Sequence, residues 1–109
     1  MNFNEYQTKA IKTAIYPHAN HNWAYPLIGL CGETGEIANK CKKLIRDDKG
    51  LITQDKRKEI SDEIGDLLWY VAVLAKEFNL ELEQIAYSNL AKIQSRQERN
   101  KIKGSGDTR

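Results

Sequence analysis

The chain has 109 residues, 40% hydrophobic and 29% charged, which leaves room for one small domain with a single core and excludes any scheme needing two catalytic domains. Its formal charge of +2 conceals an uneven distribution: residues 1–91 hold 11 Lys and Arg against 13 Asp and Glu, whereas residues 92–109 hold 6 against 2. No apolar run approaches the ~18 residues that span a bilayer, and MNFNEYQTKA lacks the basic and apolar regions of a secretory leader, so a soluble, cytoplasmic protein without membrane contacts is expected.

In chain order, Phe3, Tyr6, Ala10, Ile11, Ala14 and Ile15 recur at helical spacing until Pro17 stops the pattern. The polar stretch HANHNWAY separates Pro17 from Pro26, which stands near the first position of a second helix. That helix runs through Leu27, Leu30, Cys31, Ile37, Ala38, Cys41, Leu44 and Ile45 to a turn-like break at Asp47–Gly50. Cys31 and Cys41 would lie ~15 Å apart along it, too far to bridge, and are expected to be reduced core thiols.

A third helix is predicted to begin near Thr53 to Asp55, with Ile60, Ile64, Leu67, Leu68, Val71, Leu74, Ala75 and Phe78 on its core face. Trp69 and Val73 fall roughly opposite, so the middle of this helix is apolar nearly all round and predicts a second cover, expected from another subunit. After a short link around Asn79, a fourth helix carries Leu82, Ile85, Ala86, Leu90 and Ile93. No segment reads as a strand. Short links imply antiparallel neighbours, hence an all-α, four-helix bundle-like domain over residues 1–103, oligomeric, with residues 104–109 as a flexible tail.

The chemistry is concentrated in two matching segments, GETGEI and DEIGDL. Glu33 and Glu36 are three residues apart in the first, and Glu63 and Asp66 in the second. On a helical wheel the first acid of each pair falls about 80° from the centre of its apolar stripe, and the second about 60° further along the same flank. Antiparallel helices that bury these stripes together therefore bring four carboxylates to one edge of the core. Gly35 and Gly65 occupy equivalent wheel positions, and each costs roughly 1 kcal/mol relative to Ala, which points to close approach between helices or to a ligand.

Like charges ~5 Å apart repel by on the order of 3 kcal/mol per pair at an effective dielectric of ~20, so such a cluster must protonate, splay or hold cations. Its donors are all carboxylate oxygens with no Cys or His among them, which selects Mg²⁺ or Mn²⁺ over zinc. Mg²⁺ typically binds through a few carboxylates plus substrate phosphates. Lys40 and Lys43 continue the acidic flank of the second helix, and Asn89, Lys92 and Arg96 share one side of the fourth, positions from which phosphate oxygens can be reached.

These segments resemble the MazG-like nucleoside triphosphate pyrophosphohydrolases, whose signature is ExxE, a gap, then ExxD. Here Glu33-Thr34-Gly35-Glu36 and Glu63-Ile64-Gly65-Asp66 are separated by 26 residues. The flanks LIGLCGETGEIANKCKK and DEIGDLLWYVAVLA and the fourth-helix stretch NLAKIQSRQER extend the likeness over roughly residues 5–99. The ending GSGDTR resembles that of short, single-domain, phage-type members, which implies the cytoplasm of a bacterium or of a phage-infected host.

The resemblance implies an all-α fold assembling as dimers or tetramers, and cleavage of an NTP or dNTP to the monophosphate and pyrophosphate by metal-activated water attacking the α-phosphorus. It makes Glu33, Glu36, Glu63 and Asp66 the Mg²⁺ ligands and catalytic carboxylates, and Asn89, Lys92 and Arg96 nucleotide contacts. For the base, His21, Trp23 and Tyr25 either stack on it or staple the start of the second helix, and Gln7 is a further candidate. The tail either folds over bound phosphates or frays. Two other readings stand beside this one: a related all-α phosphohydrolase acting on dUTP, dCTP or a phosphoribosyl substrate, and a non-enzymatic helical module binding protein or nucleic acid through its basic end. The net acidic body argues against nucleic acid.

Overall fold

The computed structural model describes residues 1–109 and contains four helices and no strand: α1 (Phe3–Lys12), α2 (Ala24–Asp47), α3 (Gln54–Glu77) and α4 (Leu82–Glu98). The all-α expectation holds, and the breaks after α2 and α3 fall at the expected places for identifiable reasons. After α2 the chain turns through Lys49 and Gly50, both in the left-handed region, and the Gly50 N–H returns to the Leu44 carbonyl at 2.9 Å. Thr53 caps α3 by accepting the Lys56 N–H at 3.2 Å, and Asn79, at φ 56°, closes it.

Two boundaries differ from expectation. α1 ends at Lys12, so Ala14 and Ile15 are not helical; continuing it would drive the Pro17 ring into the carbonyl of Thr13. The Thr13 hydroxyl instead donates to the Ala10 carbonyl at 2.7 Å. α2 begins two residues before Pro26, whose missing N–H falls among the helix's unpaired first donors and so costs nothing.

α2 and α3 have 24 residues each, ~36 Å of helix, and pack antiparallel in one register. Gly29 lies against Tyr70, Glu33 beside Asp66, and Lys40 beside Glu59. α1 packs on α3 and α4, and α2 touches α3 alone, which makes the arrangement a long hairpin with two shorter helices rather than a closed bundle. The core is Ala10, Ala72 and Leu82, surrounded by Tyr6, Trp69 and Val71.

Gln7 is buried in this core and spends all its polar atoms there. Its Nε2 donates to the carbonyls of Ala72 (3.1 Å) and Leu80 (2.9 Å), and its Oε1 accepts the Leu82 N–H at 3.0 Å. Glu81 gives α4 no side-chain cap, so a residue of α1 satisfies a donor that the local sequence leaves open. Gln7 is therefore a structural clasp and not a contact for a base.

Two further expectations are corrected. The side of α3 that carries Trp69 is covered by α1 of the same chain, with the indole N–H donating to the Thr13 hydroxyl at 2.8 Å. Trp69 consequently gives no ground for a second subunit. Cys31 and Cys41 are free but exposed, because only Pro26 and Leu44 of α2 are buried.

Only nine of 109 residues are buried, and the radius of gyration is 16.8 Å, against ~13 Å for a compact domain of about this size. Ile28 (71% exposed), Ile45 (76%) and Leu90 (67%) belong to apolar stripes that the single chain leaves open. No helix is long and apolar enough to cross a membrane.

Candidate active site

The α2–α3 register puts Glu33, Glu63 and Asp66 side by side: one carboxylate oxygen from each lies within 4.8 Å of the others. Glu33 and Glu63 are half-buried and Asp66 is exposed, so the cluster forms a rim on the hairpin surface rather than a sealed cavity. Glu36 is exposed and stands outside this trio, one turn along α2, close enough for its charge to act on Glu33. The Glu33 carboxyl is held above its usual range, first by burial and then by the charges of Asp66 and Glu63, a hydrogen bond with Glu63, and the charge of Glu36. Carboxylates at this separation repel by on the order of 3 kcal/mol per charged pair, and one cation in the chain answers them. That cation is Lys40, whose Nζ lies 3.5 Å from Glu63 and 3.9 Å from Glu59.

Two tyrosines flank the acids and were not singled out from sequence. Tyr70 of α3 and Tyr6 of α1 both have phenols held above their usual range by burial, with Asp66 adding to each shift and Tyr25 and Glu33 to that of Tyr70. Tyr70 sits one turn beyond Asp66 on the same face, a spacing that the sequence displays; Tyr6 arrives from another helix and leaves no such signal. Gly29 allows the Tyr70 ring to lie directly on the α2 backbone. Gly35 and Gly65 face open space, so the close approach expected there does not come from within the chain.

The remaining sequence candidates stand outside the trio. Lys43 is exposed and lines a small cleft of about 110 Å³ with Lys40, Lys56 and Glu59. Trp23 lies ten residues, ~15 Å, along α2 from Glu33, tilted on Phe78 at 6.1 Å. Tyr25 stacks on Tyr16 at 4.7 Å. The loop between α1 and α2 is anchored by Glu77, whose carboxylate accepts from the Tyr16 hydroxyl and the backbone N–H groups of Asn20 (2.9 Å) and Asn22 (3.1 Å). Burial would raise the Glu77 carboxyl, but these donors hold it below the usual range.

On α4, Asn89 is exposed, Lys92 half-buried and Arg96 buried. None bonds to the acid cluster; Lys92 and Arg96 both pair with Asp107 of the C-terminal segment. Within one chain, the four acids and the α4 cations therefore form two separate groups of opposite charge.

The sequence model for the MazG nucleotide pyrophosphohydrolase domain matches residues 26–100, a span containing all four acids and the α4 candidates. The chain is also 46% identical over 114 aligned positions to the Gene 37 protein of Mycobacterium phage L5, an alignment covering the whole of both chains. No solved structure matches significantly. With three acids of an ExxE and ExxD pair converging on one rim and the domain match spanning both segments, the chain belongs to the MazG nucleotide pyrophosphohydrolase family.

Proposed function

We propose that the protein hydrolyses a nucleoside or deoxynucleoside triphosphate to the monophosphate and pyrophosphate, using Mg²⁺, or Mn²⁺ in its place, held by Glu33, Glu63 and Asp66 with Glu36 completing the set. The observation that carries this reading is the convergence of three carboxylates within 4.8 Å, with a single lysine to offset them, in a domain of this family. The donor set suits the ion: hard oxygens only, one edge open to solvent, and repulsion that a divalent cation would relieve. Bound Mg²⁺ would neutralise charge on the phosphates and on the departing pyrophosphate, and would acidify a water.

The chain's own groups divide the remaining work. Glu36, exposed and outside the trio, is assigned a second task besides its place in the ligand set, to orient the attacking water and accept its proton. The water oxygen bonds to the α-phosphorus while the bond to the oxygen bridging α and β breaks, and pyrophosphate leaves. Lys40 can exchange Glu63 for a phosphate oxygen, and Lys43 extends the positive edge. Asn89, Lys92 and Arg96 are assigned to the phosphates and sugar, and Trp23 to the base.

This reading includes a homo-oligomer, dimer or tetramer. α2 packs on α3 alone, and the stripes through Leu27, Ile28, Leu90 and Ile93 are exposed, an arrangement that a second copy would bury. Sedimentation at micromolar concentration should give a multimer; a monomer would remove this part of the proposal.

Product analysis after incubation with each NTP and dNTP plus Mg²⁺ tests the activity. Monophosphate with pyrophosphate supports it, and diphosphate with orthophosphate refutes it. Glu63→Gln should abolish turnover with helicity retained. Salt-dependent nucleic-acid binding without hydrolysis would replace the enzyme reading with that of an interaction module.

A further inference from the structure

Residues 101–109 form no helix, yet they are tied down. The Arg109 guanidinium donates to the carbonyls of Lys101 (3.1 Å), Ile102 (3.0 Å) and Gly106 (2.6 Å), winding the segment around its own last side chain. Gly104 and Gly106, at φ 125° and 86°, take backbone conformations that a side chain would strain, and Gly104 leaves room for the Arg109 stem. The loop so formed turns Asp107 back onto α4. One Asp107 oxygen lies 3.2 Å from both Lys92 Nζ and Arg96 Nη2, and Arg96 also donates to the Asp107 carbonyl at 2.8 Å. Arg96 is buried, whereas the Asp107 side chain is 83% exposed.

The geometry points to Asp107 as a built-in anion that occupies the phosphate position of Lys92 and Arg96, so that the C-terminal strap and a polyphosphate compete for these two cations. This rests on the assignment of α4 to phosphate binding made above. A single carboxylate against two cations leaves the pair net positive, and a polyphosphate carrying several charges outbids it. Both ion pairs are solvent-facing on the carboxylate side, which keeps the strap displaceable. The winding around Arg109 preserves the strap as a unit, so it can leave and return without unfolding α4.

The test uses the full-length protein and inorganic tripolyphosphate, a probe that carries the phosphates without base or sugar. Titration calorimetry should show Asp107→Asn binding it more tightly than wild type, by about three- to ten-fold, the range expected from losing two exposed ion pairs to a competitor. Gly106→Val keeps Asp107 but strains the turn that presents it, and should tighten binding in the same direction. In wild type, adding tripolyphosphate should shift the Asp107 amide resonance, which sits at the contact with α4, and leave that of Gly104, inside the winding, nearly unmoved. Weaker binding by Asp107→Asn would overturn the proposal by making Asp107 a support for the two cations, and unchanged affinity would overturn it too. Nucleotide turnover, measured separately, decides the enzymatic reading: hydrolysis to monophosphate together with unaltered probe affinity keeps that reading and removes the strap's role.

Discussion

Replacing Gly29 with Ala sets two opposed effects against each other at a single atom. In an open helix the change is worth about 1 kcal/mol in favour of folding, because Gly loses more backbone freedom than Ala. At Gly29 the new Cβ would lie 2.7 Å from Tyr70 Cδ1 and nearer still to Cε1 and Cζ. The ring cannot yield freely: it packs edge-on against Trp69 at 5.0 Å and is bounded by the α2–α3 contact itself. Overpacking of this kind costs about 1–3 kcal/mol, so the net effect is a loss of up to ~2 kcal/mol. For a domain of this size that lowers Tm by up to ~8–16 °C. Thermal unfolding followed by far-UV circular dichroism measures it, with Gly32→Ala as the control, since nothing lies within 4 Å of a Cβ there. In a Tyr70→Ala background, Gly29→Ala should instead stabilise by about 1 kcal/mol. A Gly29→Ala protein that melts as high as Gly32→Ala would refute the packing argument. Because Gly29 lies one turn before Glu33, the same substitution should also spread the carboxylates and weaken Mg²⁺ binding.

Mg²⁺ should raise the Tm of the wild-type protein by relieving repulsion among Glu33, Glu63 and Asp66, and much less that of Glu63→Gln; equal shifts would place the ion elsewhere. Glu77→Ala removes the acceptor for three donors of the α1–α2 loop and should cost about 2 kcal/mol after allowance for solvent, read from chemical denaturation. The folded-state pKa of Glu77 lies below its unfolded value, so its contribution is present above ~4.3 and is lost as pH falls through the lower folded value; Glu77→Gln should flatten that acid limb. Gly35→Ala and Gly65→Ala should each raise stability by up to ~1 kcal/mol, because each Cβ enters open space. A fall in Tm at either would show that a second subunit packs there.

The helices and the pairing of the two acidic segments were legible because both are periodic signals. Glu33 and Asp66 hold corresponding flanks of two long helices, and antiparallel packing in one register is enough to bring them together. What was not legible lies in side chains that act across elements. Gln7 reads as a further candidate for contacting a base, and nothing near it in sequence announces Leu82 as its partner. Trp69 read as an orphan on the wrong side of α3 because the wheel shows which faces are apolar but not which neighbour covers each; α1 ends early enough to leave the Thr13 hydroxyl opposite the indole. The expectation that the cysteines are core thiols fails for a related reason. Apolar periodicity predicts a buried stripe, whereas α2 packs on one neighbour only and leaves part of its stripe open.

The Gln7 clasp imposes an order of assembly. Its partners Ala72, Leu80 and Leu82 lie 65 to 75 residues away in the chain, while the α2–α3 hairpin closes through a short turn. Local contacts form before distant ones, so the hairpin that carries the acidic rim can form early. α1, although synthesised first, has no seat until α3 and the start of α4 have left the ribosome. The acidic rim thus belongs to the local part of the molecule, and the amino-terminal helix locks only once α3 and the start of α4 are in place.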